Sequence, residues 1–239
     1  MKKLISLLLV IALCVGAVCA LSACEEEAPP IEEPVLAGGW QINGEDAEPD
    51  MPQEAKEAFN AAMEAGREGV LDGDVYTPLA YLGSQVAAGT NYAYLCRTEV
   101  TDFTRYASLC VVTVYSGLTG KASVLDVKHV RIADYTEDAG LDFNSGALVG
   151  SWTLCADDPA KLAPDDQAAF DAATAELLGV NYTPLALMGT QVVAGRNLAF
   201  LCCAESVTAE PVSTLAVVIV YAALDGTATV TSIAPFSIA

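Results

Sequence analysis

The chain has 239 residues, 53% of them hydrophobic and 18% charged, with 31 Asp and Glu against 11 Lys and Arg. That apolar share excludes a wholly disordered acidic chain, and a formal charge of −20 repels phosphate backbones, which argues against nucleic acid as a partner. One histidine in the whole sequence removes His-rich metal sites and leaves any Ser-His-Asp triad a single possible base.

Lys2 and Lys3 precede an apolar run over residues 4–18 and then the small-residue stretch Ala20-Leu21-Ser22-Ala23-Cys24. A charged head followed by a short apolar run reads as a secretory signal, and the run is shorter than the roughly 20 residues a membrane span needs. Leu21-Ser22-Ala23-Cys24 also resembles the bacterial lipobox, which implies a lipoprotein signal peptide over 1–23 and lipidation of Cys24. The expected location is the cell envelope, on the outer face of the bacterial cytoplasmic membrane or the cell surface. Cleavage removes Lys2 and Lys3, so nine basic residues face 31 acidic ones, a formal charge of −22. Such a chain is pushed from an anionic membrane, and the lipid on Cys24 must hold it there. Residues 24–34 are acidic and proline-rich, and read as an extended tether.

The rest is a tandem repeat. Tyr76-Thr77-Pro78-Leu79-Ala80 recurs as Tyr182-Thr183-Pro184-Leu185-Ala186, and Gly83-Ser84-Gln85-Val86-Ala87-Ala88-Gly89 recurs as Gly189-Thr190-Gln191-Val192-Val193-Ala194-Gly195. The same offset of 106 carries Asn91 to Asn197, Cys96 to Cys202 and Tyr115 to Tyr221. Upstream, Gly38-Gly39-Trp40 matches Gly150-Ser151-Trp152, and Phe59 matches Phe170; about five extra residues near 71–75 account for the changed offset. The expected domains are 35–133 and 147–239, joined by a polar linker over 134–146.

Each repeat opens on a short strand at its tryptophan. A helix follows, over residues 52 to about 69 in the first repeat and 164 to about 178 in the second, each with proline in the first turn. Ala55, Phe59, Ala62, Met63 and Gly66 make one apolar stripe; Phe170, Ala173, Leu177 and Leu178 make the other. Four strands come next, at 75–86, 91–98, 106–116 and 121–132 in the first repeat, and the second ends with strands at 214–222 and 227–238. Val230, Ala234, Phe236 and Ile238 alternate as they would on a sheet covered on one face. The fold class is α+β, with each repeat a helix packed across an antiparallel sheet of about five strands. Because each repeat carries its own helix and strands, each is expected to fold alone.

Gln191-Val192-Val193-Ala194-Gly195 resembles the Q-x-V-x-G loop of the cystatins and stefins, inhibitors of papain-like cysteine peptidases; Gln85-Val86-Ala87-Ala88-Gly89 is its counterpart. The resemblance extends to a glycine before the first strand, a central helix and a second Tyr-to-Gly hairpin, in that order, twice. It implies two tandem cystatin-like domains and a wedge of three elements at each. The trunk would end at Gly38-Gly39 or Gly150, the glutamine hairpin would enter the peptidase cleft, and the second hairpin at 116–120 or 222–226 would touch its wall. The peptidase-binding residues it implies are Gly38, Gly39, Gln85, Val86, Ala87, Ala88, Gly89, Gly150, Gln191, Val192, Val193, Ala194 and Gly195. It also implies that Gly195 is small so that the loop backbone can approach the target. The first repeat departs from the pattern at Ala87, and the second at Ser151.

The implied function is non-covalent inhibition of a papain-like cysteine peptidase; the rival is a non-inhibitory lipoprotein that binds another protein or ligand at the cell surface. A third reading pairs Cys96 or Cys110 with His129 in catalysis. No catalytic residue, cofactor or metal is expected; the described pattern has no Cys-x-x-Cys. Asp157, Asp158, Asp165 and Asp166 read as solvated charges near a helix start. Beyond Cys24 there remain Cys96, Cys110, Cys155, Cys202 and Cys203, an odd number; Cys96 and Cys110 lie symmetrically about Phe103 on adjacent strands and are placed to face one another.

Overall fold

A computed structural model describes residues 38–44, 51–66, 74–100, 107–136, 150–155 and 162–238. The lipobox-like run and Cys24, the acidic stretch 24–34 read as a tether, the residues preceding Gly38 and Gly150, Asp157, Asp158 and the part of the expected linker beyond Thr136 lie outside the described residues.

The first repeat contributes β1 (Trp40–Ile42), α1 (Gln53–Ala65), β2 (Asp74–Ala87), β3 (Gly89–Val100), β4 (Ala107–Gly117) and β5 (Ala122–Val130). A 3-10 turn at Ile132–Tyr135 follows. The second contributes β6 (Trp152–Leu154), α2 (Pro164–Thr174), β7 (Val180–Val193), β8 (Gly195–Ser206), β9 (Ser213–Ala223) and β10 (Ala228–Phe236). Each repeat is a five-stranded antiparallel sheet whose strands are neighbours in chain order. The class is α+β, as the sequence predicts. Pro78 and Pro184 occupy matching places in β2 and β7, each beside a register shift, and among the described residues the three-residue β1 and β6 leave that stretch of each sheet unpaired on one side. Proline has no N–H to offer a foreign strand, so the open edges are guarded.

Each helix lies on one face of its own sheet. Ala55, Ala58, Phe59 and Ala62 of α1 pack with Tyr94, Cys96, Cys110, Val112 and Val114. Phe170 of α2 packs with Leu187, Leu198, Phe200, Val218 and Val220. One aromatic contact recurs: Phe59 meets Tyr94 edge-on with centroids 5.0 Å apart, and Phe170 meets Phe200 likewise at 4.9 Å. The Tyr94 hydroxyl donates to the Ala55 carbonyl at 2.7 Å, an added tie between β3 and α1. The second helix ends earlier than its periodicity predicts, at Thr174, and Leu178 is exposed rather than part of the buried stripe.

The opposite faces of the two sheets meet each other. Leu79, Leu82, Leu95, Leu109 and Val111 from the first repeat share one core with Leu185, Met188, Leu201, Leu215 and Val217 from the second. This corrects the expectation of a sheet covered on one face: each sheet is covered on both, by its helix and by the other sheet. The order of layers is helix, sheet, sheet, helix, and Leu36–Ala239 form one compact unit. Strand β10 shows how one strand serves both layers. A register shift between Val230 and Ser232 changes its parity, so Val230 packs with α2 while Phe236 and Ile238 face the shared core.

The contacts between the two repeats are reciprocal. Trp40 of β1 lines a groove with Phe236 and Ile238 at the far end of the second sheet. Reciprocally, a Cβ on Gly189 would come within 2.8 Å of Ile132 Cδ1, just beyond the last strand of the first sheet. Trp152 is buried in the shared core and Trp40 is partly buried against it. This self-complementary pairing of like faces is the geometry of a two-fold dimer, here joined within one chain.

Candidate functional site: the two hairpin ends

At one end of each sheet, side chains tie three elements into a row. Gly38 and Gly150 adopt φ of +92° and +88° with open space where a Cβ would stand, so it is backbone conformation that calls for glycine. Gln85 Nε2 donates to the Gly38 carbonyl at 2.8 Å, and Gln191 Nε2 to the Gly150 carbonyl at 2.7 Å. The Oε1 of each glutamine accepts a hydrogen bond from Asn91 or Asn197, at 2.8 and 2.7 Å. Tyr115 and Tyr221 then donate to the carbonyls of Ala88 and Ala194, both at 2.7 Å. The trunk turn, the glutamine hairpin and the second hairpin are thus held together by the same Gln-Asn-Tyr set in both repeats.

The last glycine of each loop serves the sheet beneath it. Gly89 and Gly195 are buried at the start of β3 and β8. A Cβ on Gly195 would lie 2.4 Å from the Ala222 carbonyl oxygen and 3.0 Å from the Tyr221 ring; on Gly89 it would lie 2.4 Å from the Ser116 oxygen. The small size is required by the neighbouring strand inside the fold. The resemblance implies a different reason, approach to a target.

What the sheet does not use is the tip. Val86 is 40% exposed, Val192 65% and Val193 42%, and beside them Leu118 and Leu224 on the second hairpins are 90% and 87% exposed. Ala87, Ala88, Ala194 and Gly39 are exposed as well. The five-residue motif therefore divides into a scaffold, Gln and Gly, and an apolar tip that the fold leaves in water. The turn carrying Leu224 is pinned by Asp225, whose carboxylate accepts from the Thr227 backbone N–H at 3.0 Å and its hydroxyl at 2.7 Å. Those two bonds hold the Asp225 carboxyl below its ordinary pKa.

Asp166 corrects a sequence reading. It is buried, and Arg196 Nη2, immediately after Gly195, pairs with it at 2.8 Å. The repeat alignment carried the signal: the residue four places before Phe170 is Asp166, and four before Phe59 stands the buried Ala55. A carboxylate on the apolar stripe of a helix needs a partner.

Cys96 and Cys110 are register partners on β3 and β4, as their placement about Phe103 suggested, and His129 is the register partner of Cys110 on β5. Both cysteines are buried as thiols, and His129 is exposed. Burial pushes the Cys110 thiol up to about 12, helped by the Asp74 charge, and lifts Cys96 well above its ordinary value. A protonated thiol is a poor nucleophile, which weighs against the reading that pairs either cysteine with His129 in catalysis. The chain matches no family model, and no curated protein matches it.

Proposed function

We propose that the protein inhibits papain-like cysteine peptidases non-covalently, displayed at the cell surface by a lipid on Cys24. The observation that carries this reading is the alignment, at one end of each sheet, of a glycine turn, an apolar hairpin tip and a leucine-tipped second hairpin. A wedge of this kind fills a cleft with Val192, Val193, Ala194 and Leu224 while offering no scissile bond in register. The hairpins are braced by sheet pairing and by Tyr221, so little conformational entropy is lost on docking. The exposed valines and leucine supply the area that the cleft removes from water.

The test is hydrolysis of a peptide substrate by papain in the presence of the full-length protein in detergent. Inhibition should be reversible and should weaken at least tenfold when Val192→Asp and Val193→Asp are combined. A parent protein that leaves papain unaffected sinks this reading in favour of a cystatin-like binding module with another partner.

A further inference from the structure

We infer that one chain engages two peptidase molecules at once, one at each pole of the double sheet. This rests on the inhibitor reading but adds a stoichiometry that tandem domains alone do not dictate. The geometry that points to it is the reciprocal overlap of the sheets. Trp40 pairs with Gln85 at the hairpin end of the first sheet, and it lines a groove with Phe236 and Ile238 at the far end of the second. Reciprocally, Gly189 pairs with Leu154 near the hairpin end of the second sheet, and Ile132, beyond the far end of the first, lies against it. The hairpin end of each sheet thus overlies the far end of the other, and the two tips point in opposite directions.

A 14-residue strand such as β2 or β7 extends roughly 45 Å at about 3.3 Å per residue. A peptidase of about 200 residues has a radius of gyration near ~16 Å. Two such bodies seated on opposite poles do not collide. The surfaces that join the sheets are the shared core, and the tips take no part in it, so neither pole is spent in holding the repeats together. The poles are not identical: the first presents Val86-Ala87-Ala88 and Leu118, the second Val192-Val193-Ala194 and Leu224.

Isothermal titration of the full-length protein in detergent with carboxymethylated papain reads the stoichiometry. The expected result is two papain molecules per chain. Val86→Asp with Ala87→Asp should leave one site, Val192→Asp with Val193→Asp should leave the other, and the four substitutions together should leave none. Circular dichroism checks that each variant is folded. A parent stoichiometry of one overturns the two-pole inference and leaves the inhibitor reading standing. No binding by the parent overturns both.

Discussion

Tyr221 donates its phenolic hydrogen to the carbonyl oxygen of Ala194 at 2.7 Å, and its ring lies against the place where a Cβ of Gly195 would stand. One side chain on β9 therefore fixes the height of the glutamine hairpin over the second hairpin and sets the size of the residue at its base. Tyr115 repeats the arrangement with Ala88 and Gly89. Shape at each pole is made by Gln, Asn, Tyr and Gly, and the exposed tip is left to Val, Ala and Leu.

That division is testable by stability alone. Gly195→Ala should cost about 2 kcal/mol or more, because a methyl group 2.4 Å from a backbone oxygen moves one strand or the other and the φ of +143° is unfavourable for alanine. Gln191→Ala removes two hydrogen bonds and should cost about 1–2 kcal/mol. Val192→Ser, at an exposed tip, should stay within about 0.5 kcal/mol. Chemical denaturation gives all three, and a Gly195→Ala protein as stable as the parent would remove the scaffold role assigned to that glycine.

The pair of Asp166 and Arg196 makes a prediction through the repeat itself. The first repeat holds Ala55 and Thr90 at these two positions. Arg196→Thr alone strands a buried carboxylate and should destabilise by about 2–3 kcal/mol. Adding Asp166→Ala, which copies the first repeat at both places, should recover most of that loss. A double-mutant cycle in which the two costs simply add would mean that the two side chains are not coupled.

Much of this architecture was legible because turns and close contacts demand particular residues. The glycines, the Gln-Asn pair and the tyrosines recur at a fixed spacing that by itself places both hairpin ends. The face between the sheets was not legible from β10, an edge strand whose Thr229, Thr231 and Ile233 are exposed. The signal lay in the inner strands: Leu215–Val220 are buried without a break, as are Leu198–Ala204. Continuous apolar strands mark a sheet buried on both faces, whereas alternation marks one face in water. Parity shifts at Val230/Ser232 further disguised which residues of β10 face which layer.

The shared core bears on whether a repeat can stand alone. An isolated 35–133 segment would expose Leu79, Leu82, Leu95, Leu109 and Val111, all buried here. At about 2 kcal/mol for each large aliphatic side chain, the loss is on the order of 10 kcal/mol, comparable to the whole stability of a domain. The independent folding that the repeat suggests is therefore replaced by a different expectation. A separated half should self-associate through this face or fail to unfold cooperatively. Sedimentation of the isolated half decides it: a folded monomer at micromolar concentration would contradict the shared-core argument.

The buried thiols give a pH dependence with a definite sign. Cys96 and Cys110 hold their protons in the folded state far more tightly than in the unfolded chain, where a thiol titrates near ~8.5. Their contribution to stability is complete below that value and declines as pH rises from there toward 12. Iodoacetamide at pH 8 should accordingly spare both residues in native buffer and modify them promptly in denaturant, as peptide mapping would record. Rapid native labelling of Cys110 would mean that the β3–β4 face opens more readily than its packing indicates.

Finally, the tips of the two glutamine hairpins, Val86-Ala87-Ala88 and Val192-Val193-Ala194, differ by one residue, and exchanging it should exchange their strengths. Ala87 stands where the second repeat has Val193, and both are exposed at the end of a strand. On the inhibitor reading, two methyl groups removed from water in the cleft are worth on the order of 1 kcal/mol, a fivefold to tenfold change in affinity. Valine suits an extended backbone, so Ala87→Val should leave the unfolding midpoint unchanged. Its effect on the first pole is read with the second blocked by Val192→Asp and Val193→Asp, and the reverse substitution, Val193→Ala, with the first pole blocked by Val86→Asp and Ala87→Asp. The first change should tighten papain binding and the second should loosen it by a similar factor. If Ala87→Val leaves affinity where it was while Val193→Ala weakens it, the two tips do not enter the cleft in the same way. The contact at the first pole would then have to be carried by Val86 and Leu118.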